Sequence, residues 1–310
     1  MTALPAGAWP VMLTPLSDDL TIDWAVVDGY TDWLIRQGAA GLFPGALSGE
    51  MFDLSEEERL ALAARVVARA AGRVPVIAAV ADSGSADEQA RAAARLAATG
   101  VDAVVLIASV LVDADASETE LRARLERILD ANPGVDFGIY ECPLPYHRLF
   151  STDLIAWIAD TGRFSFFKET SHDVAVMAER VAAAEGTPLR VFNAGIESLV
   201  ESVAVGVHGL SGWVVNVYPD TVAWLCANPD DERAPAVQAA LVAQESAMAP
   251  AYPNSAKALV ARRSGLDFRP ISRWRPAEID ADALAALDAG FAALGLPGTA
   301  ERRPAASDRS

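Results

Sequence analysis

The segment Phe164-Ser165-Phe166-Phe167-Lys168 sets a lysine directly after a run of apolar residues. Burial disfavours the charged ammonium, so an amine at the end of such a run titrates below its usual ~10.4 and becomes a nucleophile. A nucleophilic amine condenses with a carbonyl to an imine, which then draws electrons from the neighbouring carbon. The plain alternative for Lys168 is a lysine that reaches solvent or pairs with Glu169. A second run, Phe137-Gly138-Ile139-Tyr140, ends in a phenol, which either moves protons or caps a loop as a core aromatic.

Two further stretches have the composition of ligand seats. In Pro44-Gly45-Ala46-Leu47-Ser48-Gly49-Glu50, small residues leave backbone N–H groups free to form an anion-binding concavity, although an ordinary turn uses the same residues. Gly209-Leu210-Ser211-Gly212, followed by Asn216, suits close approach of a ligand or of a neighbouring strand. Tyr146, His147 and Arg148 read first as loop surface, and Glu141, His172 and Asn193 fall at strand ends without a catalytic assignment.

The elements that must position these groups recur along the chain. Short apolar runs at 11–13, 41–43, 74–79, 103–107, 137–140, 164–167, 190–192 and 209–212 read as buried parallel strands. Between them lie helical patterns, such as Trp24, Val27, Thr31, Leu34 and Ile35. Ser55 with Glu58, Ser85 with Glu88 and Ser117 with Glu120 form capping boxes, and Gly38, Gly72 and Gly100 follow helices where the last turn must close. Eight such units predict a (β/α)8 barrel, with an open doubly wound sheet as the alternative. In a barrel, the groups that end the strands face the active site. The expected division is a barrel over 1–220, helices over 221–298 (patterns at 236–248 and 280–294) and a disordered tail at 299–310.

A net charge of −17 disfavours nucleic acid and anionic membrane surfaces, so the expected partner is a small molecule. Cys142 and Cys226 form neither a disulfide framework nor a CxxC zinc motif, and no leader or ~18-residue apolar span is evident. A cytoplasmic setting is expected.

Taken in order, the motifs resemble those of the dihydrodipicolinate synthase and N-acetylneuraminate lyase family. Val11-Met12-Leu13-Thr14-Pro15 is similar to its opening strand, and Leu54-Ser55-Glu56-Glu57-Glu58-Arg59 to a helix start. The Tyr140–Pro143 and Lys168 strand ends match its Tyr-x-x-Pro and Ile-Lys motifs, and Pro253-Asn254-Ser255-Ala256-Lys257 resembles a C-terminal one. The resemblance implies that Lys168 forms the imine and Tyr140 shuttles protons. It also implies that Leu47, Ser48, Gly49 and Ser211 bind a 2-oxo acid of the pyruvate type, with Ser48 and the Leu47 and Ser48 amides seating its carboxylate. No metal or organic cofactor is required, and a homotetramer built as a dimer of dimers is expected.

Three departures stand out. Leu47 replaces a relay hydroxyl, Ser109-Val110-Leu111 replaces a Pro-Tyr-Tyr segment, and the arginine expected after Pro143 is absent, Arg148 being out of register. The expectation is a Schiff-base lyase or aldolase that is not a dihydrodipicolinate synthase. A sugar-acid dehydratase and a catalytically silent barrel are the alternatives.

Overall fold

A computed structural model describes residues 3–293 and 295, so the predicted tail at 299–310 lies outside the described residues. Seven strands form one wholly parallel sheet: β1 (Gly7–Ala8), β2 (Ile77–Val80), β3 (Ala103–Ile107), β4 (Phe137–Tyr140), β5 (Phe164–Glu169), β6 (Arg190–Asn193) and β7 (Gly209–Leu210), in the order β1-β7-β6-β5-β4-β3-β2. With helices between consecutive strands, the chain is α/β.

The first two predicted strands need correction. The first assigned strand is Gly7–Ala8 and not 11–13. Trp9 N–H still donates to Leu210 O, but Pro10 has no N–H to continue the ladder. The run at 41–43 reduces to a single bridge between Leu42 and Val76, because its partner Pro75 accepts from Leu42 N–H and cannot donate in return. That segment is nevertheless bonded on both sides. Ala40 and Phe43 donate to Ala8 and Pro10, Met12 donates to Phe43, and Ile77 donates to Leu42. It therefore lies between β1 and β2. β1 and β7 pair Gly7 with Gly209 and Ala8 with Leu210, and the first pair requires glycine: a Cβ on Gly209 would sit 2.1 Å from Gly7 O.

The run at 74–79 yields a strand only over Ile77–Val80, past Pro75, while the later strands start where their apolar runs do, and all three capping boxes form. The helix Trp24–Arg36 buries Val27, Thr31 and Leu34 as its spacing requires, while Trp24, 38% exposed, falls outside that face. Along β4 and β5 successive side chains alternate between two cores. Ile139 and Phe167 join the layer with Leu125, Ile155 and Met177 of the outer helices. Tyr140 and Phe166 join Trp9, Phe43, Val105 and Phe192 on the inner face. There the Phe166 ring lies 4.8 Å from Phe192 and 5.4 Å from Trp9, forming an aromatic floor.

After Leu210 the described chain contains no further strand. Helices Pro219–Ala227, Ala234–Met248, Asn254–Ser264 and Ala281–Ala293 follow, of which the first and third were not anticipated. Leu241, Leu259, Val260 and Phe291 share one core with Leu13, Tyr30 and Leu34. The C-terminal helices are thus packed against the start of the chain.

Candidate active site

Because the strands are parallel, Lys168, Tyr140, Ser48 and Ser211 all lie toward the same, C-terminal, end of the sheet. The β4–β5 register pairs Tyr140 directly with Lys168. Lys168 is two residues beyond Phe166, so it stands on the inner face above the aromatic floor. Its Nζ lies 4.4 Å from the centre of the Tyr140 ring.

Both side chains are buried. Burial pulls the Lys168 amine down to about 8, against the opposing pull of Cys142 and Glu245. At pH 7 a pKa of 8 leaves about 10% of the amine neutral, against about 0.04% for an unperturbed lysine. Burial, with contributions from Cys142 and Tyr252, raises the Tyr140 phenol well above its ordinary range, so it stays protonated.

Leu47–Gly49 forms one tight turn after the 40–43 segment. The N–H groups of Leu47 and Ser48 have no acceptor among the described residues, whereas Gly49 N–H and Glu50 N–H close the turn onto Ala46 and Leu47. Thr14 Oγ1 donates to Gly49 O at 2.7 Å, and a Cβ on Gly49 would come within 2.7 Å of Met12 O. Glu50 follows with φ 63° and anchors the turn from behind. Its carboxylate accepts from Lys257 Nζ at 2.5 Å, Arg273 N at 2.6 Å and Trp274 N at 3.1 Å. Ser211 is buried, and its Oγ has no partner among the described residues.

Other strand-end groups belong to the scaffold. Glu141 accepts from Phe150 N and Thr170 N and pairs with Arg180 at 3.0 Å. Asn193 bonds Ser198, Ser202 and Gly195. Arg148 and Tyr146 donate to loop carbonyls, and His147 Nε2 contacts Thr170 Oγ1 at 2.8 Å. His172 pairs with Glu197 at 2.7 Å in a half-exposed position. A cleft of about 1250 Å³ bordered by Phe52, Ser109, Leu111, Arg124, Leu144 and Tyr146 opens to one side. Neither Lys168 nor Tyr140 lines it.

Two C-terminal groups approach the site without any sequence motif to announce them. Tyr252 packs its ring 4.3 Å from Trp213 and accepts from Asn216 Nδ2 at 3.3 Å. Glu245 lies on the helix Ala234–Met248. Burial, with Glu197 adding, pushes its carboxyl to about 8, against Val214 N–H, His172 and Lys168. Its Oε2 is buried and unpartnered among the described residues.

A profile of the dihydrodipicolinate synthetase family matches residues 4–273. The chain belongs to that family. A 4-hydroxy-tetrahydrodipicolinate synthase of Marinobacter nauticus is 25% identical over 236 residues, covering 73% of this chain and 78% of its own. An N-acetylneuraminate lyase of Rhizobium meliloti is 27% identical over 214 residues, 69% of each chain. The structure of YagE, a family member from E. coli K12 in complex with pyruvate, superposes with a TM-score of 0.82 at 22% identity, covering 95% of this chain and all of YagE. A monomeric dihydrodipicolinate synthase variant superposes with a TM-score of 0.83 at 18% identity, covering 94% and 98%. These structural likenesses establish a shared fold. Among the described residues no helix is long and apolar enough to cross a membrane, and no group of three His, Cys, Asp or Glu is arranged to hold a metal ion.

Proposed function

We propose that this family member is a Schiff-base lyase or aldolase acting on a 2-oxo acid of the pyruvate type. The observation that carries the reading is the Tyr140–Lys168 pair: a buried amine drawn to about 8, directly opposite a phenol that stays protonated. The scaffold is read as a closed (β/α)8 barrel over 1–220, with the 40–43 segment as its eighth strand and residues 221–298 completing it.

Neutral Lys168 attacks C2 of the oxo acid, and loss of water gives a protonated imine. In the cleavage direction the C3–C4 bond breaks, its electron pair moves into the imine to form an enamine, and the C4 hydroxyl proton passes to a base relayed through Tyr140. Protonation of the enamine at C3 and hydrolysis release pyruvate and restore Lys168. Leu47 and Ser48 seat the C1 carboxylate through their N–H groups and the Ser48 hydroxyl, and Gly49 and Ser211 border the bound chain. The imine itself is the electron sink, so the sequence of steps calls on no metal or organic cofactor.

The reading excludes dihydrodipicolinate synthesis as the main reaction, since Leu47 and Leu111 carry no hydroxyl and no arginine follows Pro143 in register. Glu245 favours a second reading within the same chemistry. A carboxyl that stays protonated to about pH 8 can protonate a departing hydroxyl, as dehydration of a 2-keto-3-deoxy sugar acid requires. A net charge of −17 fits a small-molecule enzyme rather than a nucleic-acid or membrane binder, the sparse cysteines fit a cytoplasmic setting, and a homotetramer is the proposed assembly, to be read by sizing chromatography.

The test is borohydride reduction in the presence of pyruvate, followed by intact mass and peptide mapping. A covalent adduct on Lys168, lost in Lys168→Ala, is expected. Binding of pyruvate with no adduct would mark a catalytically silent barrel.

A further inference from the structure

In the proposed cleavage Tyr140 relays the proton of the C4 hydroxyl, so C4 comes to rest beside the Tyr140 phenol. Whatever C4 carries then passes over the side chains that surround Tyr140. Ile107, at the end of β3, pairs with Tyr140, and the helical turn Ala108–Leu111 follows at once. Val110 of that turn and Leu144 of the loop after β4 are partly buried, and both pack on the inner-face cluster that contains Tyr140, as does Ala81 after β2. Cys142, two residues past Tyr140, is buried in the same cluster, as is Phe43, whose ring centre lies 6.4 Å from that of Tyr140. Ser109 Oγ donates to Leu144 O at 2.5 Å and ties the two loops into one wall.

That wall leads out of the core. Ala81, Val110 and Leu144 also border the cleft of about 1250 Å³, so the space next to the Tyr140 cluster widens there enough for a substituent of several carbons. The polar groups on that side are largely engaged. Ser109 spends its hydrogen on Leu144 O, Tyr146 spends its own on Val112 O, and Arg124 Nη1 donates to Gly84 O at 2.6 Å and Gln89 Oε1 at 3.0 Å. A hydroxyl laid against Val110 and Leu144 gives up its bonds to water without replacing them, whereas a methylene gains by leaving water. The groups suited to a hydroxylated chain stand elsewhere. His172 and Glu197 follow β5 and β6, across Lys168 from Val110, and are bonded to each other at 2.7 Å.

We infer that the substrate carries an apolar group at C4: a 4-hydroxy-2-oxo acid with an alkyl or aryl substituent, cleaved to pyruvate and the matching apolar aldehyde. The C3–C4 bond breaks, C3 keeps the electron pair and is protonated to the methyl of pyruvate, and C4 leaves as the aldehyde once its hydroxyl has lost its proton. No oxidant or further reactant enters. Val110 and Leu144 set the specificity, touching the substituent and not the reacting atoms. The inference rests on the imine reading and on Tyr140 as its relay, and it selects cleavage of an apolar substrate over dehydration of a sugar acid.

The experiment is run on the full-length protein in the condensation direction, with pyruvate and a panel of aldehydes, the product being measured by chromatography. From acetaldehyde through propanal to butanal, kcat/KM should rise about fourfold per methylene. Propanal should exceed glyceraldehyde, the same skeleton with two hydroxyls, by about tenfold or more. Two variants remove the effect of the aldehydes' own reactivity, which cancels when one ratio is compared between proteins. Val110→Thr keeps the volume of the wall and adds a hydroxyl, so the propanal-to-glyceraldehyde ratio should fall about fivefold. Leu144→Ala strips the wall without adding a partner, and should cost butanal about tenfold and glyceraldehyde less than about threefold. Pyruvate has no C4, so its borohydride trapping on Lys168, read in parallel, shows whether the imine site of each variant is intact.

A preference for glyceraldehyde, or a ratio that stays the same in both variants, would overturn the inference. So would trapping of pyruvate with turnover of no aldehyde in the panel. Absence of any Lys168 adduct in the unmodified protein is a distinct result: it sinks the Schiff-base reading, and the apolar substituent with it.

Discussion

Lys168 and Glu169 are consecutive residues at the end of β5, as Tyr140 and Glu141 are at the end of β4, yet the two pairs face opposite environments. Glu141 and Glu169 turn outward, where Arg180 bridges both and the Phe150 and Thr170 N–H groups satisfy Glu141. Lys168 and Tyr140 turn inward onto aromatic rings, and Lys168 Nζ has no hydrogen-bond partner among the described residues. The two-residue period of a strand thus separates a buried charge that is held from one that is left available. Lys257 sharpens the contrast. It is also a buried lysine pulled down by burial, but Glu50 and Ile271 O occupy its ammonium, so its role is to brace the Leu47–Gly49 turn.

The largest effect that would break this comparison is on chemistry. Lys168→Ala should abolish the borohydride adduct and lower turnover by about 10⁴-fold or more, with a melting temperature equal to or above that of the unmodified protein, since it removes a desolvated amine. A comparable loss of adduct in Lys257→Ala, measured on folded protein, would show that the two lysines had been assigned the wrong way round. Next comes Tyr140→Phe. It should still trap pyruvate but lose about 10²- to 10⁴-fold in turnover, because imine formation needs the amine while bond cleavage needs the relayed proton.

On the outer face the expected loss is in stability. Arg180→Ala strands two buried carboxylates and should cost about 3–5 kcal/mol in chemical denaturation. At a temperature where the variant is folded, Lys168 should label as before. Loss of labelling in a folded Arg180 variant would mean that the outer cluster also tunes the inner pair.

The same physical distinction explains what could be read in advance. The runs 103–107 and 137–140 coincide with β3 and β4 because a buried parallel strand needs nothing beyond its own apolar side chains. The runs near the N-terminus mislead because Pro10 and Pro75 remove donors, so backbone pairing shifts away from the most apolar residues. Lys168 and Tyr140 were legible as neighbours because each ends an apolar run, and adjacent parallel strands bring such ends together. Tyr252 and Glu245 were not. Tyr252 directly precedes the Pro253–Lys257 motif without being part of it, and Glu245 borders the buried positions Leu241, Gln244 and Met248, where a glutamate reads as solvent-facing. Only the return of the C-terminal helices over the sheet end places them.

The finest test of the inner region is its pH response. Only the neutral amine attacks, so the rate of adduct formation should rise about tenfold per unit below the Lys168 midpoint and level off above about pH 8. Glu245 titrates near the same pH, and its negative form favours the charged lysine. Glu245→Gln removes that charge and should move the midpoint of the trapping profile to lower pH. Below about pH 7 it should have little effect through charge, because the carboxyl is already mostly neutral there. A shift in the opposite direction would mean that Glu245 reaches Lys168 as a hydrogen-bond donor and not as a charge, placing the acid at the imine itself.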